Sequence, residues 1–382
     1  FEQALIDLGY DDVLDDYVLT ENISGVTTLN VSNDSISDLT GIEDFTALTY
    51  LQCHINQLTS LDVSNNTALT YLSCYNNQLD SLDVSSNTAL TNLYCHYNEL
   101  TSLDVSSNTA LTILQCHFNQ LTNLDVSNNT ALTELRCRDN NLTSLDVNAN
   151  TSLTILKCQA NELPELDVSS NTALTTLRCE SNQLTYLNMK NGVTDALTTF
   201  DATDNSLMCI EVNAEDVDYA TENWTYDNGN IDAGVSFSEL CESVYVSTTG
   251  SDSTGDGSLE NPFASIQRGI NAITDGYSVL VTPGTYMESI NFNGKNIEVL
   301  GEARETTIIH GNQEEIVVWF GTGEDSTALI SGFTITNGSQ GIKCLNNSNP
   351  RIENNIITGN AYDGPNTYVS SASGAGISVH SS

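Results

Sequence analysis

Between residues 26 and 206, apolar and polar positions alternate in a pattern that repeats long after any single helix or strand would have ended. In residues 69–89, LTYLSCYNNQLDSLDVSSNTA, the inward candidates are Leu69, Leu72, Cys74, Leu79, Leu82 and Val84, and Ser, Thr, Asn, Asp and Tyr fill most of the gaps. The pattern returns every 21 residues, marked by Cys53, Cys74, Cys95, Cys116, Cys137, Cys158 and Cys179. A fixed period of this size means one supersecondary unit stacked on copies of itself. The pairs Leu72/Cys74 and Leu82/Val84 are spaced by two, which is the spacing of side chains on one face of a strand. Each coil is therefore predicted to carry two short strands, one on each side, rather than a strand and a helix.

The flanking segments follow other patterns. Residues 1–25 place Ala4, Leu5 and Leu8, then Val13, Leu14, Tyr17 and Val18, at helical spacing, which predicts a helical cap over the first coil. Residues 207–243 are expected to close the other end, with Trp224 and Phe237 covering the last coil. From 244 the pattern becomes a strand, a Gly/Asp/Ser turn, an amphipathic helix with Ile266, Ile270 and Ile273, and alternating strands broken by Gly and Asn. SGFTITNGSQG from 331 is echoed by ENNIITGNAYDG from 353, a repeat of 22 residues. The expected fold class is mainly β solenoid. A helical N-cap (1–25) leads into 21-residue coils (26–206), a C-terminal cap (207–243) and a right-handed parallel β-helix (244–382).

Leu69, Leu72, Cys74, Asn77 and Leu79 spell L-x-x-L-x-C-x-x-N-x-L, the leucine-rich-repeat signature with Cys in its last apolar slot. Over residues 1–243 the chain resembles the internalin-like leucine-rich-repeat proteins secreted by Bacteroidetes, through its repeat L-D-V-S-x-N-T-A-L-T-x-L-x-C-x-x-N. The resemblance implies a cell-surface or extracellular protein with a binding role, and export by the type IX secretion machinery. Residues 244–301, with YVSTTGSD, NPFASI and VTPGTY, resemble the opening of right-handed parallel β-helices of the pectate-lyase-like class. That likeness implies an alternative role, polysaccharide cleavage with the repeats as targeting module. The sequence stops at SGAGISVHSS in mid-pattern, so the natural protein is expected to continue past it.

Charge narrows the partners. Ten Lys plus Arg against 50 Asp plus Glu give a formal net charge of −40, which argues against nucleic acid and anionic membrane as ligands. With no run of about 18 apolar residues, no helical membrane insertion is expected. The seven periodic cysteines sit where Leu would sit and are expected to be buried thiols. Cys344 also occupies a core position, whereas Cys209 and Cys241 lie after the repeats and are expected to form a disulfide, in an oxidising compartment.

Comparing coils within the chain shows which side varies. On the L-D-V side the sequence is monotonous. On the L-x-C side three outward rows change from coil to coil, with a fourth beside them. They carry Tyr50, Tyr71, Tyr75, Tyr94, Tyr97 and Phe118, the histidines His54, His96 and His117, and Arg136, Arg138, Lys157 and Arg178. These four cations are all the Lys and Arg of residues 1–189, so an acidic domain gathers its positive groups on one face. Rings beside cations can engage a glycan or a protein, with an anionic group favoured. They can equally be cross-strand neighbours that stabilise a sheet. His96 and His117 lack the further ligands that zinc requires. Asp62, Asp83, Asp104, Asp125, Asp146 and Asp167 recur once per coil on the other side, where calcium is a candidate ion and solvation by flanking Ser the simpler account. The Asn rows 56–182 and 66–171 are read as structural. Beyond 244 the basic residues are Arg268, Lys295, Arg304, Lys343 and Arg351, and no lyase site or other catalytic set is assigned among them. No cofactor is expected.

Overall fold

The computed structural model describes residues 1–312, 316–360 and 377–379. The chain separates into two compact units, Phe1–Val235 and Ser236–Ser382.

The first unit is built on a nine-stranded parallel sheet of three-residue strands, running from Thr28–Asn30 and Tyr50–Gln52 to Thr176–Arg178 and Thr199–Asp201. Equivalent residues of successive coils lie side by side, as in Tyr50↔Tyr71↔Asn92 and Arg136↔Lys157↔Arg178. Leu51, Leu72, Leu93 and their counterparts are fully buried, as are all seven periodic cysteines. The small thiol fits the coil interior where the chain turns away from the strand. Two Asn ladders hold the bends. Asn119 donates to the Cys95 and Cys116 carbonyls at 3.1 and 3.0 Å and accepts from the Leu100 amide at 3.0 Å. Asn129 donates to the Val105 and Asn108 carbonyls at 3.0 and 2.9 Å. These side chains satisfy backbone groups that coil-to-coil pairing cannot reach.

Strands on the second side are fewer than the repeat predicts. Parallel strands form there at Glu165–Asp167, Tyr186–Asn188 and Cys209–Glu211, while the earlier coils contribute only an isolated bridge, Asp62↔Asp83. In those coils the Asp side chain caps its own turn: the Ser64, Ser85, Ser106 and Ser127 amides each donate to the Asp two residues earlier at 2.9 Å. The same cap forms at Asp167, within a strand, so it stabilises the turn without deciding whether a strand forms.

At the amino end, helix is confined to Glu2–Asp7 and the single turn Thr20–Ile23, with Leu5 and Ile23 buried. The spacing of Val13, Leu14 and Tyr17 does not become helix, and all three are exposed. Gly9, at φ +81°, stops the first helix, its amide donating to the Ile6 carbonyl and that of Tyr10 to Leu5. A left-handed glycine with these two bonds is a helix stop signal. At the other end of this unit, Trp224 follows the helix Val217–Asn223 and packs its buried ring 4.4 Å from that of Phe200. Cys209 and Cys241 are disulfide-bonded, and the other eight cysteines are free and buried.

In the second unit, successive short segments feed three parallel sheets in turn. Val244–Val246, Ser278–Val281, Glu298–Gly301, Leu329–Ser331 and Arg351–Glu353 form one, and sheets starting at Gly284–Tyr286 and Ile290–Asn291 form the others among the described residues. The register Leu329↔Arg351 is the 22-residue step seen in the sequence. Most of the closing SGAGISVHSS segment, and residues 361–364 of the last echo, lie outside the described residues. Val279, Val299, Phe292, Phe320, Ile330 and Phe333 belong to one core. The helix Ile266–Ala272 is held at both ends by residues that follow it. Glu288 accepts from the Ile266 and Gln267 amides at 2.8 and 2.9 Å, and Lys295 donates to the Ile270, Asn271 and Ile273 carbonyls at 2.9, 3.0 and 2.6 Å. A carboxylate at the amino end and an ammonium at the carboxyl end both complement the helix dipole.

Candidate functional site

The nine-stranded sheet presents the variable rows on its outward side, and its in-register pairing turns each row into a ladder. In the row of His54, the rings of His54 and Tyr75, Tyr75 and His96, and His96 and His117 stack at 4.3, 4.4 and 4.3 Å with interplanar angles of 11° or less. Tyr50 and Tyr71 stack at 4.0 Å, and Tyr94 tilts against Tyr71 at 5.2 Å. Tyr97 stacks on Phe118 at 4.3 Å, and the Arg138 guanidinium sits 4.5 Å above the Phe118 ring. The rings thus turn their faces to one another and their edges outward.

The cations are less free than their gathering suggests. Arg136 pairs with Glu134 at 2.7 Å, Arg138 with Asp139 at 2.6 Å, and Arg178 with Glu180 at 2.5 Å and Asp201 at 3.4 Å. The positive patch read from Lys and Arg positions is therefore largely neutralised in place by carboxylates of the same coils. Glu134 and Glu180 stand two residues from the arginines they meet, so that signal was present in the sequence; Asp201 is reached only through the fold. Lys157 differs. Among the described residues it makes no ion pair, and it sits in register between Arg136 and Arg178. Partial burial lowers its pKa first, and the Arg136, Arg178 and Arg138 charges lower it further.

His96 and His117 are kept neutral. Burial, with the Arg136 and Arg138 charges, brings His96 down to about 4; burial, with His96, Arg138, Arg136 and Lys157, brings His117 down to about 3. His117 is only 6% exposed, and its Nδ1, like Oε1 of Gln159 two coils further along the row, is buried without a hydrogen-bond partner among the described residues. His54 is lowered by burial and bonds Ser73 through Nδ1 at 3.1 Å.

Beside the His row lies one whose members all sit in the left-handed backbone region, with φ between +52° and +56° at Ile55, Asn76, Tyr97, Phe118, Asp139, Ala160, Ser181 and Asp204. Tyr97 is 46% and Ile55 40% exposed. Sequence reading placed most of these residues beside the variable rows but could not see their backbone conformation.

The remaining candidates have structural occupations. Asp62, Asp83, Asp104, Asp125, Asp146 and Asp167 each accept from the amide two residues on, at 2.8–2.9 Å. No cluster of three or more His, Cys, Asp or Glu able to hold a metal occurs among the described residues. In the second unit Arg268 pairs with Glu239, Arg304 with Glu305 and Arg351 with Glu298, while Lys343 lies 5.2 Å over the Trp319 ring. Asp252 accepts from the Ala264 and Ser265 amides at 2.7 and 2.9 Å, tying down the entry turn.

Fold and face together define a leucine-rich-repeat β-solenoid with a laterally variable strand surface. Over 51 residues, 13% of this chain, it is 46% identical to Internalin J of Listeria monocytogenes, a match spanning 6% of that protein's length. The solved functional domain of InlJ from Listeria monocytogenes, which includes a cysteine ladder, is 27% identical with a TM-score of 0.49, over 84% of this chain and 76% of that one. An internalin (inlF) of the same species gives 18% identity and a TM-score of 0.45 over 78% and 82% of the two chains. A leucine-rich-repeat protein of Leptospira interrogans gives 17% and 0.46 over 87% and 86%. No family model matches the chain.

Proposed function

We propose that the outward side of the nine-stranded sheet binds a protein partner, and that the chain is a binding or adhesion protein acting outside the cell or at its surface. One observation carries the reading: coil-to-coil variation is concentrated on this side, where it places exposed Tyr97 and a Lys157 that makes no ion pair among the described residues on a strongly acidic solenoid whose neighbouring cations are already paired. A protein suits this surface better than a glycan. A sugar stacks on an open ring face, and the ladders use those faces internally, whereas outward edges with hydroxyl and imidazole groups suit the mixed polar and apolar contacts of a protein interface. An extracellular setting accords with the bonded Cys209 and Cys241 and with the resemblance to secreted repeat proteins.

The test replaces Arg136, Arg138 and Lys157 together with Ser and compares both chains on arrays of purified extracellular proteins and of glycans. Loss of protein capture is expected; binding that survives unchanged would remove this face from consideration, and capture of glycans alone would overturn the choice of partner.

A further inference from the structure

Eight successive coils place a residue in the left-handed region at the same point, and at five of them, Ile55, Tyr97, Phe118, Ala160 and Ser181, the residue type runs against backbone preference. That region costs a non-glycine residue roughly 1–2 kcal/mol, least for Asn and Asp, and a β-branched or bulky residue there is an outlier. The second unit shows what the chain does when only the turn matters: among its described residues every non-glycine at positive φ is Asn, at 293, 312, 337, 346, 347 and 354. On the strand face the same conformation is given to Ile55, Tyr97 and Phe118. Stacking of Tyr97 on Phe118 and its edge contacts with the His96 and His117 rings offset part of the cost, but Tyr97 is still nearly half exposed, and so is Ile55. Strain kept at exposed apolar side chains points to contact with something outside the chain.

We propose that Tyr97 and Phe118 anchor the partner, and that the partner presents a bulky apolar side chain to them and a carboxylate to Lys157. The proposal rests on the reading of this face as a protein-binding surface. Lys157 supplies the charge argument. Its neighbours Arg136 and Arg178 already hold Glu134, Glu180 and Asp201, so it is the cation of this row left to receive an acid. A single carboxylate fits and a polyanion does not, because the chain's net charge of −40 repels extended negative charge. Phe118 and Tyr97 belong to coils two and three steps from that of Lys157. At about 4.8 Å per step the two contacts lie about 10–14 Å apart along the stack. An extended segment covers that distance in about three to five residues.

A random-peptide display library selected against the whole chain tests this. Enriched peptides are expected to carry an aromatic or large aliphatic residue about three to five positions from Asp or Glu. Tyr97→Asn and Lys157→Ser should each weaken them about tenfold or more. Ile55→Asn should raise the thermal midpoint by about 2–4 °C, and Tyr97→Asn should not lower it. Peptides lost with the Arg136/Arg138/Lys157→Ser chain but retained by Tyr97→Asn would overturn the anchor and leave the binding face standing. Peptides indifferent to both, or no enrichment at all, would overturn both. Enriched peptides lacking an acid would overturn the role of Lys157. A fall in midpoint for Tyr97→Asn, or no rise for Ile55→Asn, would show the row to be structural.

Discussion

His96 and His117 stack as neutral imidazoles, with Tyr97 edge-on to both and Phe118 tilted against His117, and their depressed pKa values, about 4 and about 3, make the fold sensitive to mild acid. An imidazole in the unfolded chain titrates near 6.5. Between that pH and about 4 the unfolded state takes up protons at both positions and the folded state does not, so stability is full above pH 6.5 and falls with acidification. Urea midpoints measured from pH 7 to pH 5 should therefore decline in the natural chain and decline less in a His96→Gln/His117→Gln chain; equal slopes would show that these rings are not the cause. At this scale the sequence was legible wherever one residue answers to one slot. Cys74 and Cys116 are inward as the spacing predicts, and burial pushes their thiols up to about 12. What escaped it were relations between side chains of different coils. Ring faces turned on one another, Arg178 reaching Asp201, and a φ of +55° at Ile55 leave no mark in a row of letters.

The coil as an element owes its shape more to Asn than to its short strands. Asn129→Ala would remove one of the two hydrogen bonds that each of the Val105 and Asn108 carbonyls accepts, the other coming from the Asn108 and Leu111 amides, at a cost of about 0.5–1.5 kcal/mol per bond lost. Asn128→Ala, at an exposed neighbour, should stay within about 0.5 kcal/mol of the natural chain, and urea denaturation of the pair checks the contrast. The Asn positions were readable because they recur at fixed distance from the buried Leu and Cys. The number of strands was not. L-D-V has the alternation of a strand, yet only the last coils extend the pairing into strands, and the cap on the amide two residues later is the same at Asp62 outside a strand and at Asp167 within one. The amino-terminal helix was overread for a related reason: helical spacing continues past Gly9, but a left-handed glycine ends the helix whatever follows. In the second unit both ends of the helix Ile266–Ala272 are held by residues about twenty positions on, Glu288 and Lys295, a relation visible only once the coils are closed.

For the whole molecule the governing quantity is a formal charge of −40 spread over stacked coils. One Asp per coil on the monotonous side places like charges about 5 Å apart. Screening should relieve this. Raising NaCl from about 0.02 M to about 0.5 M is expected to raise the thermal midpoint, and an unchanged or lower midpoint would mean that the charges are already compensated within the fold. The exact 21-residue repeat has a further consequence. Because each coil pairs with the next through equivalent positions, deleting or duplicating one whole period leaves every ladder continuous while bringing Tyr97 and Lys157 one step closer or pushing them one step apart. Gain or loss of a whole period between those two residues would thus retune the reach of the surface by copy number alone, with no new fold required.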